Sequence, residues 1–369
     1  VTDVGVTDPV RLDDAALASL LGADRVVERR TEEVAYDLET ITTQARWWVS
    51  GRVERDGVTE DFRVVAKVLR SADRSPVWAF VPPEGHADLL EMLDWRVEPR
   101  VYASDLAAHL PPDLAMPRCL GVTPLDEGSA VVWLEAVTGV LATWTDDDLA
   151  RSARALGRLA GSSAVAAVAD RVGHPYGPVM ARRYWQGRLS MQFGTAYRDA
   201  ALWHHPVLAA EVDDAARRRL LGLLDAAPGL VAEIEALPLL SAHGDACPNN
   251  LLLTPASVVA IDWAFFARLP LGFDLTQLVV SEIELGRTPA ATLARRQAVA
   301  LPAYADGLAA EGLTVDADAL LRAHRVLAAL TAGVAAVPLE RLDEDPRTLA
   351  PVVRERLVLL DGLLTPLGL

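Results

Sequence analysis

In the segment Ser241–Leu253, His243 lies two residues before Asp245, and Asn250 follows Asp245 by five. Twelve residues after Asn250, Asp262 closes the apolar run Val259-Ala260-Ile261 and is followed by Trp263. Phosphoryl transfer uses such a set. One carboxylate accepts or orients a hydroxyl nucleophile, while an amide oxygen and a second carboxylate hold Mg2+ against phosphate oxygens. Upstream, Val65-Ala66-Lys67 ends in the only lysine of a chain that carries 34 arginines. Arginine is a planar fork and lysine a compact point charge, so a lone lysine in this background is either a position arginine cannot fill or a random survivor. On an inner strand it is placed to contact nucleotide phosphates. Glu98 is its candidate ion-pair partner, with Glu91 on the same predicted helix. Asn249 and Asn250 are the only asparagines. The five-residue spacing selects Asn250, leaving Asn249 as a loop residue.

The elements that must position these groups follow from patterning. Asp13 caps a short helix that runs to Leu21. Arg46–Val53 and Phe62–Leu69 are β-rich runs on either side of Asp56-Gly57, which reads as a hairpin. A helical stretch over about Ala87–His109 follows, then short strands at Cys119–Val122 and Ala130–Leu134. Beyond residue 140 the pattern is mainly helical. Thr145 and Asp148 form a capping box, and Leu149, Ala153, Leu156 and Leu159 repeat at helical spacing. Another helix covers about Val212–Leu224. Leu251–Leu253 and Val258–Ile261 are short strands that flank a turn and bring Asn250 and Asp262 together. The division expected is an N-terminal lobe over 1–134, a hinge over 135–139 and a helical lobe over 140–369.

The 369 residues suit two lobes at roughly 100–200 residues per domain. A net charge of −16 argues against nucleic acid or an anionic membrane as partner, and is compatible with a cationic substrate. The 51% hydrophobic content supplies a core and argues against wholesale disorder. Cys119 and Cys247 are too few for a disulfide scaffold and are read as reduced, which with the lack of a signal-like N-terminus gives a cytoplasmic expectation. The longest apolar run, Val326–Leu339, has 14 residues, short of the about 18 a membrane span needs.

These motifs resemble those of the aminoglycoside phosphotransferase and choline kinase family. The family pattern His-Gly-Asp-x-x-x-x-Asn is met by His243–Asn250, Ile-Asp-Trp by Ile261-Asp262-Trp263, and Gly-x-Asp-Leu by Gly272-Phe273-Asp274-Leu275. Glu98 with Tyr102 resembles the family's first-lobe helix, and Leu134-Glu135 its inter-lobe hinge. The likeness runs over about residues 40–280. It implies an α+β, bilobal protein-kinase-like fold with a small sheet-plus-helix lobe and a larger helical lobe. It also implies that Asp245 is the catalytic base and that Asn250 and Asp262 are Mg2+ ligands. Lys67 would bind ATP phosphates, Glu98 would position Lys67, and backbone at Glu135–Val137 would hold adenine. His243 and Asp274 would brace the catalytic loop. Thr40–Ala45 departs from the family in lacking glycine over the phosphates. Amides around Thr42 and Thr43 are the substitutes, and this leaves ATP and GTP both open.

Tyr184, Trp185, Tyr197 and Trp203 either wall an acceptor pocket or fill the core. Glu282 and Glu284 either face a cationic substrate or lie on a solvated helix face. The function expected is an ATP- and Mg2+-dependent O-phosphotransferase acting on a small-molecule hydroxyl, with an aminoglycoside or nucleoside-type antibiotic ahead of a sugar or amino alcohol. A non-catalytic nucleotide-binding module is the distant rival. A protein kinase is disfavoured because only residues 263–273 separate Asp262 from Asp274. The expected state is a monomer or homodimer.

Overall fold

The computed structural model describes residues 12–34, 40–81, 83–138, 144–175, 182 and 187–369. The chain divides into two compact units, Val1–Ala108 with Met116–Thr138, and His109–Ala115 with Gly139–Leu369.

In the first unit, β1 (Arg25–Glu33), β2 (Thr43–Arg55) and β3 (Val58–Arg70) precede β5 (Cys119–Asp126) and β6 (Ser129–Glu135). They form one antiparallel sheet in the order β1-β2-β3-β6-β5. The β2–β3 turn is the two residues Asp56 and Gly57, both with positive φ (52° and 75°), the geometry that matches the twist of a hairpin. β3 is central, paired along both edges with β2 and β6, and side chains on both of its faces are buried toward its C-terminal end. Val64, Ala66 and Val68 pack with Leu17, Val49, Val131 and Trp133 on one face, and Lys67 is left buried on the other. Leu17 comes from the helix Asp14–Leu21, where Asp13 caps the N-terminus by accepting from Ala16 N at 2.7 Å.

The helical stretch expected at Ala87–His109 is three short helices, His86–Met92, Val97–Tyr102 and Leu106–His109. Short side chains interrupt it. Asp94 accepts from Arg96 N at 3.1 Å and Ser104 Oγ accepts from Leu106 N at 3.2 Å, and each offers the backbone a partner other than the next helical turn.

The second unit begins with β4 (Leu114–Ala115), which pairs in parallel with β9 (Val258–Ala260). This pairing places His109–Ala115 in the helical unit, whereas the division expected from sequence has them in the first lobe. β9 also pairs antiparallel with β8 (Leu251–Leu253), while β7 (Leu239–Ala242) pairs antiparallel with β10 (Ala267–Pro270). The helix Asp146–Gly161 starts at the expected Thr145–Asp148 capping box. It crosses the helix Leu293–Ala310 at two glycines. A Cβ on Gly157 would lie 2.1 Å from the Tyr304 carbonyl oxygen, and one on Gly307 2.2 Å from that of Arg154. A separate apolar core gathers Phe193, Leu220, Leu223, Ile234, Leu330 and Val353. Among the described residues, no helix is long and apolar enough to cross a membrane.

Candidate active site

In the first unit, β3 delivers Lys67 and the helix Val97–Tyr102 delivers Glu98. Lys67 Nζ donates to both Glu98 carboxylate oxygens at 2.7 Å, and the two side chains are 5% and 2% exposed. An ion pair this dry is held by direct contact between opposite charges, and removal of either residue costs the other a buried partner.

In the second unit, β7 ends at Ala242 and the chain enters the catalytic-type loop. Gly244 turns it with φ of +85°, and a Cβ there would lie 2.1 Å from the Phe265 carbonyl oxygen. The loop is then fixed by side chains. Asp274 Oδ2 accepts from His243 N at 2.7 Å and Oδ1 accepts from Gly244 N at 2.9 Å. His243 is fully buried and its Nε2–H donates to Ile261 O at 2.9 Å, leaving Nδ1 to accept from Asp245 N at 3.3 Å. That pair of contacts specifies a neutral imidazole protonated on Nε2. The His243 ring meets Trp263 edge-on at 4.6 Å. Asn250 donates from Nδ2 to Asp245 O at 2.9 Å and to Asp245 Oδ2 at 2.8 Å. The Asn250 carbonyl accepts from Ile261 N at 2.9 Å, which ties the loop to the residue before Asp262. Asp262 has φ of +65°, a left-handed conformation uncommon outside glycine. Asp tolerates it better than most residues, and such strain concentrates where a side chain must be aimed.

Burial pushes the Asp274 carboxyl up to about 7, and the nearby Asp245 charge adds to this, although the two N–H donors work in the opposite direction. Cys247 lies inside the loop and its thiol is raised by burial and by the Asp245 and Asp262 carboxylates. A thiol held protonated is a packing group rather than a nucleophile. Cys119 and Cys247 are both free.

The remaining residues singled out by sequence fall into distinct settings. Thr42 O accepts from Arg70 N at 2.8 Å, and Thr43, 6% exposed, opens β2. Thr43 therefore presents no exposed side chain. Glu135 ends β6, and its Oε1 accepts from Arg118 N at 2.8 Å. Val137 lies one residue before the described segment ends at 138. Tyr197 and Trp203 are core residues rather than pocket wall. Tyr197 is fully buried with its hydroxyl donating to Val334 O, and Trp203 Nε1 donates to Tyr197 O at 3.1 Å. Tyr184 and Trp185 lie outside the described residues. Glu282 is bound by Arg287 at 3.3 Å, and the same Arg287 nitrogen donates to Asn249 Oδ1 at 2.7 Å. Glu284 is half-buried, and its carbonyl accepts from Arg356 Nε at 3.2 Å.

Two further residues have no motif in the sequence to mark them. Arg287 holds Asn249, the neighbour of Asn250. Gln277 touches the loop on both sides of Asp245. The only signal for Gln277 in the sequence is its place three residues after Asp274, on the same face of one helix.

The sheet unit and the mainly helical unit, with this loop in the latter, define a phosphotransferase of protein-kinase-like fold. Residues 80–308 match the family model described as the phosphotransferase enzyme family, APH. The match spans more than half of the chain, and the chain belongs to that family. Solved structures share the fold at low identity. APH(2")-IIia, in a GDP and kanamycin complex, is 15% identical over 95% of this chain and 97% of its own, with a TM-score of 0.52. Spectinomycin phosphotransferase APH(9)-Ia, in complex with ADP and spectinomycin, is 11% identical over 96% and 99%, with a TM-score of 0.54. An aminoglycoside phosphotransferase from Alicyclobacillus acidocaldarius is 15% identical over 93% of each chain, with a TM-score of 0.50. Comparison with curated protein sequences finds no significant match.

Proposed function

We propose that this protein transfers the γ-phosphoryl group of ATP to a hydroxyl of a small cationic acceptor, an antibiotic of aminoglycoside type. The observation that carries the reading is the Asn250 side chain bonded to both the carboxylate and the carbonyl of Asp245. It positions the Asp245 carboxylate as the base that orients the acceptor hydroxyl, and gives Asn250 Oδ1 as the amide oxygen for a cation. Asp262, aimed by its left-handed backbone, completes the protein's share of that cation site. Among the described residues, no group of three or more His, Cys, Asp and Glu forms a metal cage. A one-carboxylate, one-amide set fits Mg2+, which keeps waters and takes phosphate oxygens as ligands. When bound, the ion would neutralise charge on the transferring phosphate. Lys67 supplies a fixed positive charge for the nucleotide phosphates, with Glu98 orienting it, and backbone at Glu135–Val137 is the adenine contact. All four of Lys67, Asp245, Asn250 and Asp262 are present, which disfavours a non-catalytic module.

Three observations support the acceptor class. The chain carries a net charge of −16, which draws cations. Tyr197 and Trp203 lie in the core, which removes two of the aromatic groups that would favour a nucleoside acceptor. Kanamycin and spectinomycin are the small molecules bound in two structures of this fold. Those two structures hold GDP and ADP respectively, so GTP is tested beside ATP. The two free thiols and the dependence on ATP fit a cytoplasmic site of action. The test is nucleotide consumption with Mg2+ against aminoglycosides, nucleosides, sugars and amino alcohols, with Asp245→Ala as control. An aminoglycoside whose phosphorylation disappears with Asp245 is the expected result. Turnover only with sugars or amino alcohols would overturn the acceptor assignment, and unchanged turnover in Asp245→Ala would overturn the mechanism.

A further inference from the structure

The structure assigns Gln277 a role in catalysis as the residue that fixes the peptide planes on both sides of Asp245. Its side-chain Oε1 accepts from Ala246 N at 2.8 Å, and its Nε2 donates to Gly244 O at 3.2 Å. Ala246 N and Gly244 O flank Asp245 on either side. The amide orientation follows from this pair, since the flipped amide would set N–H against N–H and oxygen against oxygen. Asp245's own backbone is engaged separately. Its N–H goes to His243 Nδ1 at 3.3 Å and its carbonyl accepts from Asn250 at 2.9 Å. So the two groups of Asp245 and the two groups around it are all held by side chains.

Asp274 and Gln277 act from one helix, Phe273–Glu284, three residues apart. Asp274 accepts only, and it secures the N–H groups of His243 and Gly244. It is not placed to hold the Gly244 carbonyl, because both of its oxygens are taken up by these two N–H groups. Ala246 N also lies beyond the two amides that Asp274 spans. A primary amide of glutamine length, with one donor and one acceptor, matches both. The loop has no strand partner here, as β7 stops at Ala242. Gln277 therefore supplies what a neighbouring strand would supply, and a freed Gly244–Ala246 segment would let the Asp245 carboxylate swing. Misplacement of a reacting group by about 1 Å costs on the order of 100-fold in rate.

This role rests on Asp245 being the base, and the experiment separates the two. Mg2+–ATP and Mg2+–GTP cleavage is measured for wild type, Asp245→Ala, Gln277→Leu and Gln277→Glu, with thermal unfolding and hydrogen exchange of the 243–250 segment followed in parallel. In Gln277→Leu, kcat is expected to fall about 10- to 100-fold with KM for nucleotide within about twofold, and the loop amides are expected to exchange faster. Gln277→Glu keeps the acceptor for Ala246 N but sets an oxygen against Gly244 O. Its deficit relative to wild type should shrink as pH falls from about 8 toward 5.5, because the opposed Gly244 oxygen and the Asp245 charge raise this carboxyl above its ordinary value of about 4.3, and its protonated form again donates to that carbonyl. A residue that only stabilises the fold would lower the unfolding midpoint without this pH signature. Wild-type kcat and unchanged loop exchange in both Gln277 variants, with Asp245→Ala inactive, would overturn the role and leave the kinase reading standing. Equal turnover in wild type and Asp245→Ala would overturn both.

Discussion

Asn250 reaches back five residues and places its side-chain nitrogen 2.8 Å from Asp245 Oδ2 and 2.9 Å from the Asp245 carbonyl oxygen. One amide thus sets the rotamer of Asp245 and the backbone that carries it. Asn250 is itself 4% exposed and its own carbonyl is bonded to Ile261 N, so it has no freedom to follow a moving Asp245.

Replacement of Asn250 by Asp should cost more than replacement by Ala. The carboxylate removes both N–H donors and sets a like charge against Asp245, which favours protonation of Asp245, the proposed base. The expected outcome is a kcat loss of about 100-fold or more, with a pH–rate profile whose acidic limb moves upward. Steady-state kinetics from pH 5 to 9 reads both. A profile that keeps its wild-type limb would show that Asn250 does not set the charge state of Asp245.

The Lys67–Glu98 pair makes a stability prediction and an activity prediction that differ. Glu98→Ala takes from an ammonium with 5% side-chain exposure the carboxylate that holds it through both oxygens, at a cost of about 3–5 kcal/mol. The apolar double replacement Lys67→Met with Glu98→Leu should recover most of that stability and none of the activity. Urea unfolding of wild type and the two variants beside nucleotide turnover is the check. A double variant as unstable as Glu98→Ala would show that packing rather than charge stranding sets the cost.

Tyr197 tests core against pocket directly. Tyr197→Ala removes a fully buried ring and should cost about 3–5 kcal/mol. The folded fraction should keep the wild-type KM for its acceptor. A raised acceptor KM with unchanged stability would return Tyr197 to the substrate site.

His324 gives the acid limb of stability. It is fully buried between Thr276 Oγ1 and Gln297 Nε2, each at 3.1 Å, and burial holds it at about 4 against an ordinary 6.5. The unfolded chain therefore binds the proton first as pH falls. Stability is intact above pH 6.5 and is lost toward pH 4, by about 3 kcal/mol in all. Asp274 works in the opposite sense, since its carboxyl is raised to about 7 in the fold. Its contribution is full at low pH and disappears as pH rises toward 7. Subtraction of the His324→Gln unfolding curve from that of wild type isolates the histidine. A flat difference from pH 6.5 to 4 would contradict its assignment.

The central motif is legible from residue spacing alone. His243, Asp245 and Asn250 lie within eight residues and Asp262 follows one short hairpin, so local chain geometry suffices to bring them near one another. The Asp56-Gly57 turn and the Thr145–Asp148 capping box are legible for the same reason, since each is a contact closed within four residues. Less is legible where the signal is spread out. The charged β1, with Arg25, Glu28, Arg29 and Arg30, has no alternating pattern because it is an edge strand with little to bury. β4, β7 and β10 are two to four residues long, too short to show a period. The aromatic run near residue 200 is ambiguous in sequence because a ring in the core and a ring in a pocket have the same composition.

By itself the sequence determined which side chains are available for chemistry and their order along the chain: one lysine, a His-x-Asp, one Asn at the right distance and an Asp closing a strand. The tertiary structure decided how the motif is held. Asp274 lies about thirty residues from the loop it binds, and Gln277 and Arg287 are likewise distant from Asp245 and Asn249. Such partners are chosen by helix packing, which brings one face of Phe273–Glu284 against the loop, and no short-range spacing in the sequence records it.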